Sequence, residues 1–260
     1  MADLKITTIQ THLVWEDVGA NITHFNNMLN ALKEQTDVVV LPEMFTTGFT
    51  MSTERLAEMH GGKGLQWMIE KAKEKEIALV GSISVKDQDG FYNRLYWVNP
   101  DGSYQYYNKR HLFRMGNEQQ YYTAGNERLI VDYKGWKICP LVCYDLRFPI
   151  WSRNTKQNSY DALIYVANWP EVRSYPWKQL LIARAIENQS YVIGVNRIGE
   201  DGNQINHSGD TMVLNPRGEK ISETLAHQEL METITLSEKY LSDFRKIFPV
   251  MLDSDDFKII

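Results

Sequence analysis

The sequence predicts an α/β protein, a four-layer α-β-β-α sandwich of two packed sheets with helices outside and pseudo-twofold halves. Two observations predict this fold. Short β-branched runs alternate with stretches of helical periodicity along the 260 residues, as in layered α/β proteins. The order of these runs in the first half also recurs in the second half. Because the offsets between matching runs differ, the recurrence indicates two similar halves and not a solenoid repeat.

The first half begins with the strand "LKITTIQ" and a helix near residues 21–34. The strand "DVVVL", a helix near residues 65–76 and the strands "IALVGSIS" and "FYNRLYWV" come next. The turn "NPDG" at 99–102 follows the last strand. Pro favours the second position of a turn and Asp-Gly suits the positions after it, so "YWVNPDGSYQYY" is predicted to be a hairpin.

The second half repeats this order. "DVVVLPE" resembles "DALIYVANWPE", and each is followed by a helix and then by a strand that contains glycine, "IALVGSIS" or "SYVIGVNR". The next strand ends in "VNPDG" in the first half and in "LNPRG" in the second. The matching segments predict two sheets that pack on each other.

Two long polar segments, 45–64 and 108–128, interrupt this pattern. Both contain aromatic residues and Met, which argues against disorder, and long loops in compact domains are often functional. They are the predicted walls of a site. In the tail, about residues 237–260, Ser237 is a predicted N-cap and helical spacing continues to Pro249. The acidic and apolar residues beyond it are a candidate subunit interface.

Charge and hydropathy exclude several classes of partner. The chain has 28 basic and 33 acidic residues, and the basic residues are scattered, so we expect no nucleic-acid partner. No run reaches the ~18 apolar residues of a membrane span, and "MADLKITTIQ" lacks the regions of a signal peptide. We therefore expect a cytoplasmic protein with no membrane partner.

The cysteines and histidines predict neither a disulfide nor a metal site. Cys139 and Cys143 are the only two cysteines, and residues four apart on a strand lie roughly 13 Å apart, which is beyond disulfide reach. The six histidines show no paired metal-ligand spacing. We therefore expect no bound metal.

The stretch "KICPLVCYDLRF" places Cys143 at the end of a predicted strand, where open α/β sheets bind ligands. Most cysteines are simply small buried hydrophobes, and Pro140 requires an edge position or a local irregularity in the strand. A neutral thiol also needs a base or a cation to become a nucleophile. The nearest histidine, His111, lacks the companion signature of a cysteine–histidine pair.

Two charged residues offer another way to activate the thiol. Glu43 in "LPEMFTTGF" and Lys109 in "YYNKRHLF" also follow predicted strands. Each alone is typical of a solvated surface charge. Because several strand ends can direct side chains into one pocket, the three positions together favour Glu43, Lys109 and Cys143 acting as a set.

The sequence resembles the nitrilase superfamily of carbon-nitrogen hydrolases. The resemblance rests on "LPEMFTTGF", "NKRHLF", "GNEQQYYTAGNE", "LVCYDLRFP", "YVANWP" and "ARAIENQSYVIGVNRIG", which occur in this order over nearly the whole chain. Within the superfamily, "KRHLF", "CYDLRFPIWSRN" and the short length are similar to the omega-amidases. The resemblance implies a single carbon-nitrogen hydrolase domain over residues 1–260 and a homodimer or higher homo-oligomer.

The same resemblance implies catalytic roles. Glu43 would be the general base, Lys109 the cation at the oxyanion, and Cys143 the nucleophile that forms a thioester. A second glutamate of the family best matches Glu118, with Glu127 as the alternative. The implied chemistry needs no cofactor.

The implied substrate is a small amide, the terminal amide of 2-oxoglutaramate or 2-oxosuccinamate, which is hydrolysed to the dicarboxylate and ammonia. Its carboxylate needs local positive charge, and Arg147 and Arg173 are the candidates because a guanidinium binds a carboxylate bidentately. A structural ion pair is at least as good an interpretation of Arg147. The acids available for that pair are Asp145, Asp161 and Glu187.

Other substrate-binding residues are predicted as well. The backbone N–H of Tyr144, directly after the nucleophile, would be a second oxyanion donor. The candidate pocket aromatics are Phe45, Tyr122, Trp151 and Trp169. Two other functions stay open: an amidase or carbamoylase for another small amide, and a catalytically inactive binding protein on the same fold. The joint presence of the three catalytic residue types argues against the inactive protein.

Overall fold

The computed structural model describes residues 2–88, 90–255 and 257. The α-helices are α1 (Val18–Ala31), α2 (Thr53–Leu56), α3 (Lys63–Lys75), α4 (Glu118–Tyr121), α5 (Pro149–Ser152), α6 (Ser174–Asn188) and α7 (Glu238–Ile247). The strands are β1 (Leu4–Gln10), β2 (Val38–Val40), β3 (Glu58–Met59), β4 (Ala78–Asp87), β5 (Gly90–Val98), β6 (Tyr104–Asn108), β7 (Val131–Tyr133), β8 (Trp136–Val142), β9 (Ala162–Ala167), β10 (Tyr191–Asn196), β11 (Ile198–Glu200), β12 (Asn206–Ser208), β13 (Met212–Leu214) and β14 (Leu230–Leu236). Short 3-10 helices lie at Arg114–Gly116, Cys143–Arg147, Glu171–Arg173 and Val250–Asp253.

Two large sheets carry the fold. The first has the order β14-β1-β2-β4-β5-β6, with β3 paired to β4, and the second has the order β13-β10-β9-β8-β7. In the first sheet β14 and β1 are antiparallel, β1–β2 and β2–β4 are parallel, and β4–β5 is antiparallel. The second sheet repeats this pattern: β7–β8 is antiparallel, β8–β9 and β9–β10 are parallel, and β10–β13 is antiparallel. The predicted recurrence of the two halves is confirmed in strand order and direction. Strands β11 and β12 form a separate two-stranded ribbon.

The two sheets face each other and the helices cover their outer faces. Val38 and Val40 of β2 belong to the core between the sheets. Val39, which points to the opposite face of the strand, belongs to the core that contains Phe25 and Leu29 of α1. This alternation follows from the two-residue period of a strand. Each aliphatic side chain buried in this way stabilises the fold by about 1.5–3 kcal/mol.

The matched glycines of the two halves allow close packing next to the strands. A Cβ at Gly194 of β10 would lie 2.5 Å from Leu181 Cδ1 and 3.0 Å from the Trp177 ring, both on α6. A Cβ at Gly81 of β4 would lie 3.1 Å from the Phe45 ring. Larger residues at these two positions would push the covering side chains away from the sheets.

Several predicted elements are confirmed with small shifts in their ends. Helix α1 begins at Val18, three residues before the prediction, because the Asp17 side chain caps it by accepting the Ala20 N–H at 2.9 Å. Helix α3 lies close to the predicted 65–76. The "NPDG" hairpin joins β5 to β6, and the Gly102 N–H donates to the Asn99 carbonyl at 2.8 Å.

Pro140 lies where β8 has one strand partner. Strand β7 pairs only with Trp136–Ile138, whereas β9 runs beside β8 through Val142. The missing N–H of Pro140 therefore breaks no pairing with β7: β8 is not an edge strand of its sheet, but in the described part of the chain it is unpaired on this side at Pro140.

In the tail, Ser237 caps α7 by accepting the Tyr240 N–H at 3.4 Å, and the helix ends at Ile247, just before Pro249. Of the predicted interface segment, residues 256 and 258–260 lie outside the described residues. Within the described chain, no helix combines the length and the apolar character needed to cross a membrane.

Candidate active site

Three strand ends bring Glu43, Lys109 and Cys143 to one cavity of about 410 Å³. Glu43 lies shortly after β2, Lys109 directly after β6 and Cys143 directly after β8. Glu43 and Lys109 are buried to within 1% of full burial, and Cys143 keeps 9% of its surface exposed. The two sheets therefore each contribute to the site, since β2 and β6 belong to the first and β8 to the second.

The ammonium group of Lys109 lies between two carboxylates. Its Nζ donates to Glu43 Oε1 at 2.9 Å and to both oxygens of Glu118, at 3.0 and 2.9 Å. Burial alone would lower the pKa of Lys109, but the charges of Glu118 and Glu43 outweigh it and raise this pKa above its ordinary range. Lys109 therefore stays cationic at neutral pH and can stabilise negative charge beside it.

Glu118, the first residue of α4, is fully buried and is the second carboxylate that holds Lys109. Its carboxylate also accepts the Phe113 N–H at 2.6 Å and the Asn93 side-chain N–H at 3.2 Å. Burial raises the pKa of Glu118, whereas the contacts with Lys109 and Phe113 lower it. Glu127, the alternative second glutamate, is exposed.

Glu43 is held by two asparagines. Its Oε1 accepts from Asn93 Nδ2 at 2.7 Å, and its Oε2 accepts the backbone N–H of Asn168 at 2.8 Å. The Asn168 side chain also donates from Nδ2 to the backbone carbonyl of Glu43 at 2.5 Å. The next residue, Met44, has a left-handed backbone with φ of 45°, so the chain turns sharply after Glu43 while the carboxylate stays in the cavity.

Cys143 also has a left-handed backbone, with φ of 43°. Such a conformation costs roughly 1 kcal/mol or more for a residue with a Cβ, so the surrounding structure must hold it in place. The pKa of the Cys143 thiol is raised well above its ordinary value by burial and by the charge of Glu43, and Lys109 opposes this only in part. The raised pKa favours the protonated thiol, and Glu43 lines the same cavity as a carboxylate that can accept its proton.

Asp145 holds the turn that presents Cys143. Its Oδ2 accepts the Val142 N–H at 3.0 Å and the Tyr107 hydroxyl at 2.7 Å. Its Oδ1 accepts from the backbone N–H of His111 at 3.1 Å and contacts His111 Nδ1 at 2.8 Å. Tyr107 and His111 flank Lys109, so one buried carboxylate fixes the cysteine turn relative to the lysine segment.

The predicted loops form the cavity walls. Segment 45–64 contributes Phe49, Thr50, Met51 and Ser52, and segment 108–128 contributes Lys109, Phe113, Met115 and Gly116. Further wall residues come from the ends of other strands and from the loops after them: Trp15, Glu16, Tyr144, Arg147, Asn168, Trp169, Pro170, Arg173, Asp201, Asn203, Ile205 and His207.

Residues 5–242 match the family model for the carbon-nitrogen hydrolases. The chain belongs to the carbon-nitrogen hydrolase family. It is therefore a hydrolase of carbon–nitrogen bonds other than peptide bonds.

This carbon-nitrogen hydrolase has full-length relatives. It is 47% identical over 259 residues to the omega-amidase YafV of Escherichia coli K12, with 100% of both chains covered. It is 31% identical over 252 residues to the 2-oxoglutaramate amidase of Bacillus subtilis, with 95% of this chain and 96% of the relative covered. The crystal structure of XC1258 from Xanthomonas campestris, a CN-hydrolase superfamily protein with an arsenic adduct in the active site, is 43% identical with a TM-score of 0.97 over 100% of both chains.

The two candidate arginines of the hydrolase both line the cavity. The Arg147 guanidinium lies 5.0 Å from the centre of the Trp169 ring. Its alternative acidic partners are engaged elsewhere: Asp145 with Tyr107 and His111, Asp161 with Arg245, and Glu187 with Arg184. Within the described chain, Arg147 forms no ion pair with these three acids, so the structural-pair interpretation is wrong.

Arg173 lines the same cavity as Arg147. Its guanidinium is 5.4 Å from the centre of the Phe113 ring, and its Nη1 is 3.8 Å from the Met115 sulfur. Trp169 donates its indole N–H to the Arg173 carbonyl at 2.7 Å. Both guanidinium groups therefore rest on aromatic rings and remain available to an anion.

Three predicted pocket aromatics do not line the cavity in the described chain. Phe45 packs between Phe25 and Trp67 in the core under α1 and α3, because the turn at Met44 directs it away from the cavity. The Tyr122 hydroxyl is buried against the Ser84 hydroxyl and the Thr50 carbonyl, each at 2.9 Å. The Trp151 indole donates to the Tyr107 hydroxyl at 3.0 Å. Tyr122 and Trp151 support the walls from behind.

The sequence interpretation missed Asn93, Asn168 and the role of Asp145. Asn93 lies in β5, and Asn168 follows β9 inside the quoted "YVANWP". A polar side chain within an apolar strand, or directly after one, was the signal available for both asparagines.

Proposed function

We propose that this hydrolase is an omega-amidase that releases ammonia from the terminal amide of 2-oxoglutaramate or 2-oxosuccinamate. The names of its relatives, omega-amidase and 2-oxoglutaramate amidase, support this proposal. The observation that carries it is the buried set of Glu43, Lys109, Glu118 and Cys143 at one end of a small cavity. A nucleophile, a base and a cation at this spacing fit amide hydrolysis through a thioester.

In the first step the Cys143 sulfur attacks the amide carbon while Glu43 takes the thiol proton. A base in contact is required because burial and the Glu43 charge keep the pKa of the thiol high. Lys109 and the backbone N–H of Tyr144 stabilise the oxygen that becomes negative. Glu43 then passes the proton to the amide nitrogen, the carbon–nitrogen bond breaks, and ammonia leaves.

In the second step water replaces ammonia. Glu43 takes a proton from the water while the water oxygen attacks the thioester carbon. The carbon–sulfur bond then breaks, the proton returns to the Cys143 sulfur, and the acid is released. The sum is one amide and one water converted to one carboxylate and one ammonium ion.

Arg147 and Arg173 are proposed to bind the carboxylate at the other end of the substrate. They line the cavity that holds Cys143. Glu16 and Asp201 also line this cavity, so the arginines are needed to offset negative charge near the anion. Because the arginines and Cys143 line one cavity, a short diacid monoamide can present its carboxylate to the one and its amide to the other, which favours such substrates over neutral amides.

Asn168 is proposed to orient the amide that is cleaved. Its Nδ2 donates to the carbonyl of Glu43, an acceptor only, which directs Oδ1 the other way. Asn168 Oδ1 is buried, has no hydrogen-bond partner in the described chain, and belongs to a residue that lines the cavity. It can accept one N–H of the substrate amide and turn the carbonyl oxygen towards Lys109.

Ammonia release from a panel of short amides tests the proposed function. We expect 2-oxoglutaramate and 2-oxosuccinamate to be hydrolysed faster than neutral amides and N-carbamoyl amino acids. Faster hydrolysis of a neutral amide or a carbamoyl compound would instead favour the other amidase or carbamoylase. No ammonia from any amide, with Cys143 left unmodified by a thiol alkylator, would favour an inactive binding protein.

We also infer a homodimer or higher homo-oligomer of one-domain subunits in the cytoplasm, with the tail of residues 237–260 at an interface. Large apolar side chains near the end of the described chain support this: Ile247, Phe248 and Leu252 are 79%, 59% and 72% exposed. Light scattering on the full chain and on a variant with charged residues at 248 and 252 tests the interface. A variant with unchanged mass in solution would contradict it.

A further inference from the structure

Three potential metal ligands converge outside the cavity that holds the catalytic residues. His12 follows β1, His24 lies on α1, and Glu229 directly precedes β14. The nearest ring nitrogens and carboxylate oxygen of this group lie within 4.8 Å of one another. The three residues come from separate segments, so the sequence shows no metal-ligand spacing that would reveal the group. The prediction of no bound metal rested on such spacing.

The distances within the group suit a small divalent cation. His12 Nδ1 and His24 Nε2 lie 3.4 and 3.3 Å from Glu229 Oε1. Zinc binds nitrogen and oxygen at about 2.0–2.1 Å, so two tetrahedral ligands lie about 3.3–3.4 Å apart. Two of the three separations therefore already have the value of a tetrahedral edge. The His12 side chain is 51% exposed, so it can rotate to close the third.

The backbone around the group is fixed. His12 forms a β-bridge with Ile198, and Glu229 precedes the seven-residue pairing of β14 with β1. Thr11, fully buried beneath the group, bonds Glu229 Oε1 and lies 2.7 Å from His24 Nε2. This hydroxyl can keep its bond to the carboxylate when His24 turns its lone pair to a metal, as a supporting partner of a metal ligand does.

A second exposed histidine–carboxylate pair provides a contrast. His227 Nε2 lies 3.2 Å from Glu171 Oε1, and both side chains are more than 40% exposed. Within the described chain no further imidazole, thiol or carboxylate joins this pair as a third ligand. It is therefore an ordinary surface ion pair of two groups, whereas three potential ligands meet at His12, His24 and Glu229.

We propose that His12, His24 and Glu229 bind one divalent transition-metal ion, zinc in the first place, with water in the remaining position. Two imidazoles and a carboxylate are a donor set that zinc accepts. The ion would join the end of β1, helix α1 and the segment that enters β14, and so would fasten three elements from both ends of the chain. Its effect is on stability, because the group lies outside the cavity that holds Cys143.

Titration of the Cys143→Ala protein with zinc tests the proposal without the active-site thiol. We expect one zinc per chain by calorimetry and a melting temperature that rises with zinc concentration, since a ligand that binds only the folded state stabilises it. Cobalt should bind at the same site and give the visible absorption bands of a tetrahedral ion. His24→Gln and His12→Gln in this background should each weaken binding by tenfold or more, which is about 1.4 kcal/mol.

His227→Gln in the same background is the matched control and should bind zinc as tightly as its parent. The melting temperature of each variant without metal shows whether it is folded, and the half-exposed His12 should tolerate glutamine without loss. The proposal is overturned if no saturable zinc binding occurs, or if the His12 and His24 variants bind as tightly as the control.

Discussion

Lys109 shows how single residues share the work of the proposed site. It touches both carboxylates, which raise its pKa and favour its charged form, whereas burial and the Glu43 charge raise the pKa of the Cys143 thiol and favour its neutral form. The arrangement replaces the histidine of a cysteine–histidine pair by a base and a cation on separate strands. Activation then depends on proton transfer to Glu43 during attack and not on a stored thiolate.

Glu118 should matter because it fixes the charge and position of Lys109. We predict that Glu118→Gln lowers kcat by up to about a hundredfold, because a displaced Lys109 weakens an oxyanion contact whose full loss costs about 100-fold to 1000-fold. Glu127→Gln is the matched control, because Glu127 is exposed and should leave kcat unchanged. Steady-state ammonia release measures both, and equal rates for the two variants would contradict the assignment.

Asn168 should discriminate between amides and esters. We predict that Asn168→Ala lowers kcat/KM more for the amide than for the matching methyl ester, which has no N–H to donate to Oδ1. The backbone N–H of residue 168, which holds Glu43, remains in the variant. An equal loss on both substrates would mean that the side chain acts only through Glu43.

At the residue scale, the sequence predicted the charged groups and missed the amides. Glu43, Lys109 and Cys143 stood out because each follows a predicted strand, whereas Glu118 was preferred to Glu127 only by resemblance until burial distinguished the two. Asn93 could not be singled out, since its function depends on meeting Glu43, 50 positions away along the chain. Phe45 was wrongly predicted to line the pocket, because Met44 has a left-handed backbone and no glycine marks this turn in the sequence.

At the scale of elements, the turn after β8 depends on Asp145. We predict that Asp145→Asn lowers kcat tenfold or more and also lowers the free energy of unfolding by about 1–3 kcal/mol, because an amide cannot satisfy all the donors that face it. Activity assays and urea unfolding measure the two losses. Asp161→Asn, at an aspartate that directly precedes β9 and pairs with Arg245, is the control. It should lose stability without losing kcat.

The ribbon of β11 and β12 gives a pH dependence to stability. Burial and the charge of Arg197 lower the pKa of His207 in β12 from 6.5 to about 4. In the unfolded chain His207 takes up its proton near pH 6.5, so the folded state is favoured above that pH and loses stability as the pH falls towards 4. The loss can reach about 3 kcal/mol.

We predict that His207→Gln reduces this loss, because glutamine does not titrate in this pH range. The variant should remain folded, since glutamine can still donate to the Gly199 carbonyl, which His207 Nδ1 approaches at 3.3 Å. Urea unfolding at pH 7 and at pH 4.5 gives the two free energies. His227→Gln, at an exposed position, should retain the parent's pH dependence. A His207 variant that loses as much stability as the parent would place the cause elsewhere.

At the element scale, helices and strands were predicted well because their periodicities are long and their ends are marked by caps and turns. Ser237, a predicted N-cap, illustrates this, whereas the start of α1 was predicted three residues late because the cap at Asp17 was not recognised. The sequence predicted the end of a strand at Cys143 but not the 3-10 helix at Cys143–Arg147. Its geometry depends on Asp145 partners from the β6 hairpin, which local sequence does not contain.

At the scale of the whole molecule, the site lies where the two halves meet. Glu43 and Lys109 come from the first sheet and Cys143 from the second, and Asn168 after β9 connects the second sheet back to Glu43. The recurrence of strand order was visible in the sequence because both halves repeat the same apolar runs. The metal-ligand group was not, since it joins His12 and His24 to Glu229 near the opposite end of the chain.

The thioester on Cys143 is the central claim, and one measurement tests it most directly. Acid quenching of the enzyme during turnover of 2-oxoglutaramate, followed by mass spectrometry of the intact chain and its peptides, should reveal an acyl group on the peptide that contains Cys143. The Cys143→Ala protein should be folded, carry no acyl group and release no ammonia. Ammonia release by that variant at the parent's rate would contradict the account.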